Sequence, residues 1–278
     1  MTPTGSDLVR VPLLLVFVIT ASAASAQAPP VLLRLQPHAG DTLHSWLEQR
    51  TEVSAGGSAA GASRMTTSVS IHSRSIVRSV RPASTTVLTI VDSATFTSTD
   101  THSAAMIADA GRAMRGQQLV LQLGVDGTVE SARDARGVPL SRDATDAMAA
   151  MPAVFPRRPV AVGDEWVREL PLPSGGPLGA RGSGHVRALF HLDSLDRGAS
   201  IAYVSMRGDI LPDSTSKGVA LSGSITGVLQ IDRVRGWMTD SRFLVLLQSV
   251  ITPPAGSGLV PMRLTTRVTQ RLRTMDKR

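Results

Sequence analysis

The sequence predicts a mainly β protein, built as a single curved antiparallel sheet or an open or half barrel, with two short helices packed on the concave face. Three observations predict this fold. Apolar and polar residues alternate with a period of two over most of the chain, and turns rich in glycine and proline separate the alternating runs. Only two windows show helical spacing.

The N-terminus has the three parts of a secretory signal peptide. Arg10 precedes the uncharged apolar run 11–20, and small residues lead to an Ala-x-Ala site that ends at Ala26. We expect residues 1–26 to be removed, because the next such site would place Pro29 directly after the cut. A ten-residue helix covers about 15 Å, half of a bilayer core, so no transmembrane span is expected after signal removal. The expected location is periplasmic or secreted.

Residues 27–278 are expected to form a single β domain. Its pseudo-halves, about 30–140 and 160–278, are joined by a crossover rich in proline over 152–164. The hydrophobic content of 42% is sufficient for a real core. A Gly-Asp pair is expected at three strand starts, and two of these pairs precede a tryptophan. We interpret the pairs as turns that enter a strand; the alternative is a faint twofold repeat. The three pairs begin at Gly40, Gly163 and Gly208.

The first half is expected to hold five strands. The pair at Gly40 opens the first, and a long alternation over 65–80 follows, with a phase slip before Ile76 that is typical of a bulge. An Asp-Gly turn at 124–127 indicates a hairpin between two short strands. The later strands of this half are predicted over 86–97, 119–123 and 128–132. Those of the second half are predicted over 165–170, 185–193, 200–207, 223–232, 238–252 and 262–273.

Two helices are expected. The window 102–115 places Met106, Ile107, Ala110 and Met114 on one stripe before Gly116, and Asp100 or Thr101 is its expected cap. The window 141–151 begins at Ser141 and ends at Pro152.

Charge and aromatic content restrict the partners. The net charge is +7 and aromatic residues make up 3% of the chain. The basic character favours anionic partners such as lipid headgroups. The shortage of aromatic rings argues against binding to nucleic acids or carbohydrates. One face of the last strand carries four arginines, which form either an anionic-partner site or a solvated outer face: Arg263, Arg267, Arg271 and Arg273.

The segment 243–247 is apolar on both faces. Its alternation places Phe243, Val245 and Leu247 on one side and Leu244 and Leu246 on the other. We expect a helix to cover the second side; the alternative is an apolar cavity. The candidate ligand-binding residues are therefore Met106, Ile107, Met114, Leu244 and Leu246.

No residue pattern predicts catalysis. The chain has no cysteine, His185 and His191 would lie about 20 Å apart on one strand, and the S-x-x-K string from Ser214 to Lys217 has no K-T-G strand to accompany it. We therefore expect no catalytic residue, no metal site and no cofactor.

A central segment carries a resemblance. It runs from Phe155-Pro156 through Pro159-Val160 and Gly163-Asp164 to Trp166, and together with the opening pair at Gly40 and a late turn at Gly236 it resembles a family of uncharacterised secreted bacterial β-rich proteins. This family, a domain of unknown function, implies no activity. The expected architecture also looks like the half barrel of periplasmic lipoprotein carriers.

The expected function is that of a non-catalytic exported cell-envelope protein. It would bind an apolar or amphipathic, lipid-like ligand, or an envelope protein partner, on the concave face of the sheet. The alternative is a structural or interaction module with no small ligand, and a hydrolase ranks third. No oligomeric state is predicted.

Overall fold

A computed structural model describes residues 29–56, 63–140, 154–171, 184–212, 219–251 and 261–276. The expected signal peptide (1–26), the helix 141–151, most of the loop between the first two strands of the second half, and Ser214–Lys217 lie outside these residues. The described residues form eleven strands and one α-helix, which confirms the mainly β class. The strands are β1 (Thr42–Gly56), β2 (Ser63–Val80), β3 (Ser84–Ser98), β4 (Gln118–Gly124), β5 (Val129–Asp134), β6 (Glu165–Pro171), β7 (Gly184–Leu195), β8 (Ile201–Pro212), β9 (Val219–Asp232), β10 (Trp237–Ile251) and β11 (Met262–Asp276), and α1 spans Ala104–Met114.

All eleven strands belong to one antiparallel sheet, in the order β5-β4-β3-β2-β1-β11-β10-β9-β8-β7-β6. The first and last strands pair in the middle of the sheet, from Leu43 opposite Asp276 to Gly56 opposite Arg263. Strands β5 and β6 are therefore the two edges, and the sheet is not closed.

The sheet is strongly curved. Eleven strands in a flat sheet would separate the two edges by about 48 Å. Instead, Nη2 of Arg168 on β6 lies 2.6 Å from Oδ2 of Asp126 in the turn between β4 and β5. The curvature thus brings the two edges together at one end, as in the open barrel that the sequence predicts.

The inner face of the sheet is apolar over β6–β10 and also carries buried polar side chains on β1, β2 and β11, namely Thr51, Ser75 and Thr266, whereas the outer face is mostly polar. Side chains alternate between the two faces, and residues opposite each other in register share a face. The inner face is the one that carries the fully buried Phe190, Leu192, Val204 and Leu229. These residues belong to a core that extends over β6–β10.

Helix α1 confirms the first helical prediction to within two residues and lies on the inner face. A side chain at Gly111 would come within 3.3 Å of Phe96, which is opposite the inner-face residue Val69. Asp100 does not cap the helix itself. Its carboxylate accepts hydrogen bonds from the His102 N–H and the Ser103 hydroxyl, in the turn that precedes the helix. No helix of the described residues is long and apolar enough to cross a membrane.

An N-terminal strap, residues 31–36, closes one end of the core. Val31 exchanges two backbone hydrogen bonds with Val160, and the Leu35 and Gln36 N–H groups donate to the carbonyls of Val125 and Arg235. The strap therefore connects the β4–β5 turn, the β9–β10 turn and the extended segment before β6. Its side chains at 31, 33 and 35 are buried; Leu33 is 1% exposed.

Two of the three Gly-Asp pairs are strand-entry turns of the same construction. Gly40 and Gly163 have φ of 92° and 95°, where glycine is favoured. The carboxylates of Asp41 and Asp164 each accept a hydrogen bond from the N–H group three residues earlier, at 2.8 and 2.9 Å. These turns precede β1 and β6 and account for the repeated sequence.

Two sequence predictions are wrong in detail. The third pair, at Gly208, lies inside β8 instead of at a strand start. A side chain at Gly208 would collide with the backbone of β7 at Arg187 and Ala188, so glycine is needed there for close packing and not for a turn. The β2–β3 register does shift before Ile76, between His72 and Ser73, but the extra residue there is Asp92 of β3; the extra residue of β2 is Arg78, at a second shift between Val77 and Ser79. A bulge shifts the alternation by one residue, and the sequence alone does not show where β3 absorbs that shift.

Candidate functional site

The four arginines predicted on the last strand do share one face, the outer face of β11. They point to different surroundings. Arg271 lines a groove, Arg267 lines a smaller pocket beside it, and Arg263 is exposed. The Arg273 guanidinium lies 5.5 Å from the ring centre of Trp46, which stacks on His72. The four arginines therefore form a basic stripe on the outer face, and each of them has different neighbours.

The groove crosses the middle of the outer face and has a volume of about 810 Å³. Seven strands line the groove: β1, β2, β3, β9, β10 and β11 each contribute two outer-face residues that are two positions apart, and β8 contributes Met206. The residue between each pair points to the inner face, so the floor of the groove is backbone. The six strands that contribute pairs, at about 4.8 Å spacing, give the groove a length of about 24 Å.

The chemistry changes along this groove. Hydroxyl groups line the end on β2 and β3, and charged side chains line the centre, where β1 and β11 contribute Glu48, Arg50 and Arg271. Arg242 and the apolar Leu244 and Val228 line the end on β10 and β9. Val228 is 53% exposed. The arrangement is suited to a ligand that has both a negative charge and an apolar part.

Carboxylates neutralise only part of the positive charge around the groove. Oδ2 of Asp240 lies 3.1 Å from Nη2 of Arg271 and 3.8 Å from Nη2 of Arg242. Two arginines thus share Asp240, and Glu48 lies opposite Arg271 on the neighbouring strand β1. Arg271 and Arg242 also face each other directly across β10 and β11. Like charges opposite each other in a sheet are destabilising, so an added anion would stabilise this pair.

Glu52 has the same position between two arginines on the other side of the groove. It accepts hydrogen bonds from Nη2 of Arg64 and from Nε of Arg50, the latter at 2.9 Å. These hydrogen bonds, from Arg64 first and then Arg50, lower the pKa of Glu52 below its ordinary value. Glu52 is consequently ionised at neutral pH and holds both guanidinium groups beside the groove.

The five predicted ligand-binding residues do not meet on one surface. Met106, Ile107 and Met114 belong to α1 on the inner side of the sheet, and Met106 is 69% exposed. Leu244 and Leu246 lie on the outer face of β10. Leu244 lines the groove and Leu246 is 42% exposed. No helix of the described residues covers these two leucines: α1 packs on the opposite face, against Phe96 of β3.

The alternation of β10 leads to a direct test by truncation. Leu247 is 3% exposed on the inner face, so Leu247→Ala should cost about 2–5 kcal/mol of unfolding free energy. Leu246 is 42% exposed, so Leu246→Ala should cost less than about 1 kcal/mol. Chemical denaturation measures both. Equal losses at the two positions would contradict the assignment of the faces.

Sequence reasoning missed the groove because its residues come from seven strands. The signal within each strand was an ordinary pair of polar or apolar residues two positions apart, such as Ser68 and Ser70. Only the register places these pairs side by side. Finding the groove therefore requires both the strand order and the register of each strand pair.

Comparisons with known proteins give no family for this chain. No family model matches it, and no curated protein matches it. Among solved structures, the outer membrane protein OprG from Pseudomonas aeruginosa aligns with 87% of this chain and 100% of its own, at 7% identity and a TM-score of 0.21. A similarity this weak carries no argument about function or location, and the candidate site is interpreted from its own geometry.

Proposed function

We propose that this protein is an exported, non-catalytic cell-envelope protein that binds an anionic amphiphile, a lipid-like molecule with a negatively charged headgroup, in the outer-face groove. One observation carries the proposal: a single groove joins two arginines that face each other across the sheet, Arg242 and Arg271, to the apolar Leu244 and Val228. Its volume is within the range of about 300–1,000 Å³ that small-molecule sites have. The signal peptide expected over 1–26 supports export.

The outer face suits this ligand better than the inner face does. The strap and the segment before β6 already fill the inner side over β6–β10, where Phe190, Leu192 and Ile231 are fully buried. An incoming acyl chain would have to displace these close-packed contacts. On the outer face, Leu244 and Val228 lose water only when a ligand covers them, so burying them favours binding.

Binding to lipid vesicles tests the proposal. The protein should co-sediment with vesicles of phosphatidylglycerol and not with vesicles of phosphatidylcholine, because only the first lipid is anionic. Leu244→Gln should weaken this binding about fivefold or more, since it removes apolar surface from the groove. Val167→Gln is the matched control, because Val167 is 46% exposed on the outer face of β6 and does not line the groove.

The outcomes separate the two main candidates. Binding that depends on Leu244 and not on Val167 supports the lipid-binding proposal. A protein that ignores both kinds of vesicle, and that native mass spectrometry shows to be free of bound lipid, contradicts it. That result would leave the interaction module with no small ligand as the better explanation.

A further inference from the structure

A second depression adjoins the groove. Its volume is about 300 Å³, and it is lined by Arg50, Arg64, Arg267, Glu52 and Thr269. Arg50 and Thr269 line the groove as well, so the two depressions are continuous. Three of the five lining residues are arginines, and we call this depression the arginine pocket.

Three features fit the arginine pocket to an oxyanion with two charges. Its three guanidinium groups and one carboxylate have a net charge of +2. Glu52 lies directly opposite Arg267 on the neighbouring strand, yet its hydrogen bonds go to Arg50 and Arg64. Arg267 makes no hydrogen bond or ion pair with any residue in the described part of the chain. The guanidinium of Arg267 thus has Glu52 opposite it but keeps its donors free for a ligand.

Glu52 also preorganises the other two cations. Its carboxylate is 17% exposed, whereas the side chains of Arg50 and Arg64 are 59% and 62% exposed. The acid thus lies below the two guanidinium groups and fixes them from beneath, while their remaining N–H donors reach solvent. Guanidinium groups held in this way bind phosphate oxygens with two donors each, which a single lysine cannot do.

We infer that the arginine pocket is the headgroup seat of the proposed amphiphile and that it selects a terminal phosphate group. A phosphomonoester carries a charge of about −1.5 to −2 at neutral pH and three strongly accepting oxygens. It therefore matches both the net charge and the donors of the pocket. A phosphodiester, with one charge, matches them only in part. The inference rests on the proposed function, because the rest of the ligand is taken to lie in the groove toward Leu244.

The test compares two lipids and two arginines. Vesicles of phosphatidic acid carry a phosphomonoester headgroup, and vesicles of phosphatidylglycerol carry a phosphodiester; both are prepared at equal surface charge. The wild-type protein should prefer phosphatidic acid. Arg267→Gln should weaken binding to phosphatidic acid about tenfold, because it removes the unpaired guanidinium. Arg263→Gln is the matched control, since Arg263 lies on the same face of β11 and outside the pocket, and it should change binding less than twofold.

Inorganic phosphate, titrated calorimetrically, provides a second probe, and Arg64→Gln a second variant. The inference is overturned if the wild type binds both vesicle types equally, or if Arg263→Gln weakens binding as much as Arg267→Gln. Vesicle binding would then still support the proposed function. Phosphate binding that needs Arg267, without binding to either vesicle, would support the pocket as a site for free phosphate and contradict the lipid. Thermal unfolding of the two Arg→Gln variants on β11 should match that of the wild type, because neither makes a described ion pair.

Discussion

Replacing Gly236 by alanine should lower the free energy of unfolding by about 4–6 kcal/mol. Gly236 lies in the β9–β10 turn beneath the N-terminal strap. A Cβ atom there would overlap the Arg34 carbonyl oxygen and come within 2.6 Å of its carbon and 2.8 Å of the Gln36 nitrogen. Real Cβ atoms essentially never make contacts this short, and the obstacle is backbone, so the strap itself would have to move.

Displacement of the strap exposes buried side chains. Leu33 is 1% exposed and Leu35 is 7% exposed, and fully burying one such side chain is worth about 1.5–3 kcal/mol. The φ of 61° at Gly236 adds about 1–2 kcal/mol for a residue with a Cβ atom. Domains of this kind have only about 5–15 kcal/mol of stability, so the variant should come close to unfolding.

Gly40→Ala is the matched control, measured in the same denaturant titration. Gly40 also has a positive φ, 92°, but an added Cβ would meet nothing within 4 Å. The Gly40→Ala variant should therefore lose only about 1–2 kcal/mol of unfolding free energy, which is the backbone strain. If Gly236→Ala is no more destabilised than Gly40→Ala, then the strap is not packed on this turn as described.

Removing the charge of Arg168 should cost about 2–3 kcal/mol at neutral pH. Arg168 on β6 reaches Asp126 across the open side of the sheet at 2.6 Å, and their side chains are only 11% and 20% exposed. Arg168→Met would leave the Asp126 carboxylate in the same surroundings without its counter-charge. Such losses reach about 3–5 kcal/mol for fully buried pairs, and this pair keeps some contact with solvent. Arg207→Met is the control: its pair with Glu165 is 71% and 47% exposed, so the loss should be below about 0.5 kcal/mol.

The same pair predicts a pH dependence. Burial raises the pKa of Asp126, but hydrogen bonds from Thr128 and Arg168 lower it by more, and the net pKa lies below the ordinary value of 3.8. A carboxyl whose pKa is lower in the folded state than in the unfolded state stabilises the fold at any pH above its unfolded-state pKa. That contribution is lost as the pH falls through its folded-state pKa. The wild type should therefore lose stability below about pH 4. In Arg168→Met this loss should be smaller, because burial remains while a lowering hydrogen bond is gone. Equal pH profiles for the two proteins would contradict this role for the pair.

The strands were predictable because their signals are local. Alternation with a period of two and turns such as Asp126-Gly127 depend on neighbours in the sequence, and the structure places a strand at every predicted position. The partners of each strand were not predictable. Nothing near Leu43 indicates that it lies opposite Asp276, because that register results from the packing of the whole inner face.

The candidate site divides in the same way. The arginines of β11 share a strand, so alternation alone places them on one face. The groove and the arginine pocket depend on β1 lying between β2 and β11, which brings Arg50 and Arg64 to Arg267. Apolar stripes misled the choice of ligand residues. Met106 belongs to an apolar helical stripe and is nonetheless 69% exposed, because α1 contacts β3 through the small residue Gly111.

The pairing of β1 with β11 in the middle of the sheet determines when the fold can be completed. Every other ladder joins strands that are neighbours along the chain, so β1–β5 and β6–β11 can each form as a meander from nearby residues. The central seam closes the longest loop of the molecule, and long-range pairings of this kind form slowly. Until β11 has emerged and paired, β1 and β10 both present unpaired edges near the middle of the sheet. Chains that lack β11 should therefore self-associate through these edges. The pairing of β11 with β1 is thus the final step of folding.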